Sequence, residues 1–69
     1  MQAARNANDG ISLSQTTQGY LDEINARLQR VRELTVQGLN GSYTPEDKDQ
    51  IQTEINLNFK EIERINDIA

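Results

Sequence analysis

The chain has no cysteine and no histidine. The first absence excludes disulfides, thiolate metal sites and thiol nucleophiles. The second removes the commonest general base and metal ligand. Tryptophan is missing too, and two tyrosines and one phenylalanine are the only aromatics. Hydrophobic residues reach 35% of 69 residues, against about 45–50% in globular domains. Mean hydropathy is -0.77. A chain this short buries only about 60% of its unfolded surface, so a self-sufficient core is not expected. No apolar run approaches the roughly 20 residues of a membrane span, and no apolar signal core follows Met1. Some export routes leave no such signal, so this does not imply a cytoplasmic home. Positive charge is also scarce. Seven Lys and Arg against 11 Asp and Glu leave a net charge of -4, which argues against nucleic acid and anionic membranes as partners.

What is present is helix. Leu13, Tyr20, Leu21, Ile24, Leu28 and Val31 form one stripe, and Leu21, Ile24, Leu28 and Val31 make an a/d run of two heptads. Glu23 and Arg27 form an i,i+4 pair in the better orientation. Before this stripe the chain is polar and Ala-rich. Ala3, Ala7, Gly10, Ser14 and Thr17 place small side chains on the same line, so this stretch reads either as a continuation of the helix or, at Asn8-Asp9-Gly10, as a helix start with Asp9 as its cap. Gly38-Leu39-Asn40-Gly41 should end the helix through left-handed conformations at Asn and Gly. Thr44, Pro45, Glu46 and Asp47 then make a strong second start, with Asp47 in the capping-box position three residues after Thr44. Ile51, Ile55, Ile62 and Ile65 share the second stripe, interrupted by Asn58. Phe59 flanks it and Leu57 points well away.

The expected fold is all-α, an antiparallel helical hairpin with helices at about 10–39 and 45–67 joined by a connector at about 40–44. Two helices sharing one seam leave the outer sides of Leu13, Tyr20, Leu57, Phe59 and Val36 uncovered. The hairpin should therefore be part of a larger helical bundle, with both ends of the chain lying within or next to longer helices.

No catalytic constellation is found. Ser12 and Ser14 lack an imidazole partner, and Gly38 and Gly41 lack the strand and Lys-Ser/Thr of a phosphate loop. Glu46, Asp47 and Asp49 lack the order and the turn glycine of a calcium loop, and their place at a helix start explains them. An enzyme is not expected, and neither a cofactor nor a metal. The best functional candidate lies in Leu28–Gln37. At 100° per residue Leu34 falls roughly 90° from the middle of the seam, and Arg30 further. Both should face outward, and Glu54 should come beside them from the rim of the second helix. Arg30, Leu34 and Glu54 would then make a patch with an apolar centre and both signs of charge.

The residues also resemble a known family. Arg5-Asn6-Ala7-Asn8-Asp9-Gly10-Ile11-Ser12, Gln15-Thr16-Thr17, Leu28-Gln29-Arg30-Val31-Arg32-Glu33-Leu34 and Val36-Gln37 are similar to bacterial flagellin. Ile51-Gln52-Thr53-Glu54-Ile55 and Glu61-Ile62-Glu63-Arg64-Ile65 continue the match across nearly the whole chain. The resemblance is to the N-terminal helices of flagellin's inner rod domain. It departs at Gly38-Leu39, at Ser42–Pro45 and at Leu57-Asn58-Phe59, which bears on connector geometry and third-helix packing. Function and partners are implied by the resemblance alone, not by composition or spacing. Flagellin is the subunit of the bacterial flagellar filament, secreted through the flagellar channel to an extracellular home. A helix from its C-terminal segment packs on these two. A vertebrate Toll-like receptor recognises the family, and its contact positions carry over to Arg30, Leu34 and Glu54, with Gln29, Glu33 and Gln37 as neighbours. The expected partners are thus other flagellin segments or subunits and that receptor, with a homo-oligomer as another way to cover the apolar side. The alternative reading is a coiled-coil scaffold or adaptor derived from flagellin helices.

Overall fold

The computed structural model describes residues 1–69. It contains two α-helices, α1 (Gln2–Gly38) and α2 (Pro45–Ile68). They run antiparallel: Arg30 reaches Glu54, Arg27 reaches Asn58, and Arg64 approaches Glu23. The Cα trace measures 64 × 17 × 8 Å, two helices wide and one thick. There is no second layer to enclose either flank of the pair.

Helix α1 begins at Gln2 rather than near Gly10. Met1 precedes it without a side-chain cap, so Asp9 is an ordinary helical residue and not an N-cap. Ala3, Ala4, Arg5 and Ala7 are strong helix formers. They carry the helix through Gly10 and Gly19, where an added Cβ would meet nothing within 4 Å. Residues 1–19 are exposed throughout, because α2 is too short to accompany them.

The helix also ends differently from expectation. Leu39 closes α1 at φ −79° and ψ −8°, and no residue adopts a positive φ. The turn is made instead by Asn40, whose Oδ1 accepts bonds from Ser42 N (3.0 Å) and Ser42 Oγ (2.8 Å). An Asx turn of this kind reverses the chain without a left-handed residue. Helix α2 then starts on a complete capping box. Thr44 Oγ1 accepts from Asp47 N and Asp47 Oδ2 accepts from Thr44 N, both at 3.1 Å.

The buried seam is rotated from the expected one. Ile24 and Val31 are half-buried, but Leu21 is 51% exposed and Leu28 46%. The most enclosed side chains are Leu34 and Ile65, at 1% each. Leu34 therefore belongs to the packed centre of the hairpin and does not face outward. The line of α1 facing α2 runs Tyr20, Ile24, Arg27, Val31, Leu34 and Gly38, about 90° round the helix from the Leu21–Leu28 edge. Opposite it stand Ile51, Asn58 and Ile65, all buried. Burying one leucine contributes about 1.5–3 kcal/mol, so Leu34 is a principal anchor of the pair.

Candidate functional site

The two helices leave grooves along both flanks, and these differ in chemistry. One, of ≈ 390 Å³, runs over Val31, Thr35, Gly38, Ile51, Ile55 and Phe59. The other, of ≈ 200 Å³, lies over Leu34 and Ile51 and is walled by Arg30, Gln37, Tyr43, Asp47, Gln50 and Glu54. Arg30 lies about 40° from Leu34 on one side, and Leu28 about 120° on the other. The charged flank and the apolar flank are thus opposite sides of one seam.

On the charged flank the structure brings Arg30 and Glu54 together. Arg30 Nε and Nη2 donate to the same oxygen, Glu54 Oε1, at 2.9 and 2.8 Å. Arg30 Nη1 donates to Glu33 Oε2 at 3.3 Å. A guanidinium has five N–H donors, so two remain free, and Glu54 Oε2 makes no bond within the chain. Both side chains are 45% exposed. The two carboxylates hold Arg30 more firmly in its charged form. The hydrogen bond to Glu54 is the larger cause, followed by that to Glu33. An exposed pair like this adds little to stability, because water screens it. Its interest lies in the unfilled donors and acceptor it offers to water.

A second cluster lies two turns away. Arg64 Nε donates to both oxygens of Glu61 at 3.0 Å, its Nη2 also bonds Glu61, and Glu23 Oε1 stands 4.0 Å from it. This arrangement holds the Glu61 carboxyl below the usual carboxylate range, chiefly through the bond from Arg64. Sequence spacing pairs Glu23 with Arg27. In the structure Arg27 turns instead to Asn58, with Nη1 3.4 Å from Asn58 Oδ1, and Glu23 faces Arg64. Local spacing shows only the partners on one helix.

Of the expected patch, Arg30 and Glu54 share a face and Glu33 joins them. Gln37 lies on the same groove, where its Nε2 donates to Tyr43 Oη at 3.0 Å. Gln29 is exposed on the outer side of α1. Leu34 is the exception. It forms the floor beneath the pair and cannot be the apolar centre of an exposed patch. Tyr43, Asp47 and Gln50 complete the groove, a place that residue spacing does not show even for Asp47, whose capping role it does. Their register opposite α1 follows only from how the connector brings α2 back.

The apolar flank has no such closure. Phe59 is 46% exposed, Leu28 46% and Leu13 68%. They continue the line of Val31 and Ile55 along one side of the hairpin. Two amphipathic helices with one flank charged and the other apolar and open define an element of a helical bundle. Its kind is given by its relatives. A family model of the bacterial flagellin N-terminal helical region matches residues 1–69, and the chain belongs to that family. It is similar to flagellin of Xenorhabdus nematophila, 62% identical over 64 residues, which is 93% of this chain and 20% of that protein. It is also 59% identical over 64 residues to flagellins of Salmonella muenchen and Escherichia coli O127:H6, covering 93% of this chain and 13% and 12% of those proteins. The chain thus spans a fifth or less of the length of these curated relatives.

Proposed function

We propose that the chain is a structural segment of a flagellar filament subunit, and that its charged flank is the surface a flagellin-sensing Toll-like receptor recognises. The filament reading is supported by the family match over the whole chain. In this reading the segment is secreted to the extracellular flagellum and belongs to the subunit's rod domain. A further flagellin helix covers the flank of Leu28, Val31, Ile55 and Phe59, because exposed apolar surface on this scale favours burial at about 25 cal/mol per Å².

The observation that carries the receptor reading is the Arg30–Glu54 pair. Its geometry is held within the hairpin, yet two N–H donors and one carboxylate oxygen are unused. A partner can bond to both residues without breaking the bonds between them, so little ordering remains to be done on docking. Glu33 and Gln37 edge this contact, and Gln29 lies beyond Glu33 on the outer side of α1. Leu34 supports it from beneath and is not itself a contact.

Two experiments test these readings. The first exchanges the chain for the matching 64 residues of the Xenorhabdus nematophila flagellin and examines filaments by electron microscopy. Normal filaments are expected, and subunits that are exported but do not polymerise would refute the structural reading. The second titrates the receptor ectodomain with wild-type chain, Arg30→Ala and Glu54→Ala. Each variant should bind at least about fivefold more weakly. Affinities equal to wild type in both would refute the receptor reading.

A further inference from the structure

We infer that Asn58 is a positioning residue for the Arg30–Glu54 pair: it selects the register in which α1 and α2 meet. Its consequence for recognition rests on the docking reading above, but its consequence for register does not.

Asn58 is 4% exposed and is the only polar residue among the buried side chains. It sits at the centre of a row spaced by seven, Ile51–Asn58–Ile65. The facing row of α1, Tyr20–Arg27–Leu34, has the same spacing and also carries its one charged residue at the centre. These two polar residues meet. Arg27 Nη1 donates to Asn58 Oδ1 at 3.4 Å, and Asn58 Nδ2 donates to the Glu54 carbonyl at 2.9 Å. No buried side-chain nitrogen or oxygen is left without a partner.

A slip of one heptad either way would set Asn58 against Leu34 or Tyr20, and Arg27 against Ile65 or Ile51. The buried amide would lose its cross-helix partner, which is costly. With an aliphatic residue at 58 the same slip would exchange apolar for apolar. It needs about 10 Å of chain, which the connector end of either helix can release by unwinding. A lone polar residue in a heptad seam specifies register in this way, at some cost in stability. Arg30 follows Arg27 by one turn, and Glu54 precedes Asn58 by one turn. The register that joins Arg27 to Asn58 therefore sets Arg30 beside Glu54.

The absence of cysteine makes the test direct. Ala26→Cys and Lys60→Cys, both at exposed positions, take spin labels whose separation is read by double electron–electron resonance. The background should give a single narrow distance. Asn58→Leu should keep its helicity and melt no lower, yet show a second or broadened distance. Asn58→Asp, which keeps an acceptor for Arg27, should restore the single distance. A single unchanged distance in Asn58→Leu would overturn the inference. So would loss of its helicity, since Asn58 would then support stability and not register. Titration of the receptor ectodomain with the same variants, without labels, separates the two readings. Asn58→Leu should bind roughly tenfold more weakly and Asn58→Asp normally. Broadened distances with unchanged receptor affinity would overturn the docking reading and leave the register inference standing.

Discussion

The two flanks of the hairpin are built from the same two helices and are left unfinished in opposite ways. On one side arginines have found carboxylates: Arg30 has Glu54 and Glu33, and Arg64 has Glu61 and Glu23. These charges remain hydrated, so each pairing changes little in energy and the flank is at ease in water. On the other side Leu28, Val31, Ile55 and Phe59 form a continuous apolar edge that nothing in the chain covers. Water disfavours that edge in proportion to its area. The contrast teaches that the two flanks suit different partners. The apolar side suits a permanent companion, and the charged side suits a partner that arrives later and reads geometry.

The largest expected effect comes from the residue beneath both flanks. Leu34→Ala should destabilise the hairpin by about 2–5 kcal/mol, seen as loss of helicity at 222 nm or a lower melting temperature. Receptor affinity should fall with it, because the Arg30–Glu54 register loosens. If Leu34→Ala melts like wild type, Leu34 is not an anchor of the seam.

The second prediction breaks only the apolar side. Phe59→Asp should leave the helicity of the chain nearly unchanged, since the ring is already half in water. It should abolish association with a peptide of the flagellin C-terminal helix in a calorimetric titration. Unchanged association would mean that this edge is not the companion's seat.

A change at the connector acts on both flanks alike and so calibrates them. Thr44→Ala removes one arm of the capping box and should cost about 1 kcal/mol, measured by denaturant unfolding.

The charged side should show its weakness in stability most plainly. Arg30→Ala should leave the denaturant unfolding midpoint nearly unchanged, while on the proposed reading it should weaken receptor binding.

The smallest effect is a pH dependence at Glu61. Its folded pKa lies below the unfolded value because Arg64 donates to the carboxylate. Its contribution is therefore fully present above the unfolded carboxylate pKa of about 4.3 and is lost as pH falls through the lower folded value. Thermal melts from pH 6 down to pH 3 should show a modest acid loss that Glu61→Gln flattens.

Much of this is legible in the residues. The stop after Gly38, the capping box at Thr44 and the hairpin topology follow from short-range chemistry that acts within a few residues of each site. Glu54 can be placed at a rim and beside Arg30, because an antiparallel return brings those numbers together. Three features mislead. Asp9-Gly10 reads as a start, but one glycine costs about 1 kcal/mol and the alanines before it outweigh that. Asn40-Gly41 reads as a left-handed end, but the Asn40 side chain makes the turn instead. Leu34 reads as exposed when the seam is centred on Leu21 and Leu28.

That last difference marks the division between the two kinds of information. Periodicity along the chain determined that α1 carries a broad apolar arc, and that the arc is wider than one partner can cover. It could not decide which edge of the arc α2 would take. That choice depends on how side chains of two helices interlock: Leu34 beside Ile51 near the connector, Arg27 against Asn58. These are contacts between residues far apart along the chain, and their energies appear nowhere in a helix considered alone. The amino-acid sequence therefore determined that there would be two flanks, and only tertiary packing decided that Leu34 lies between them.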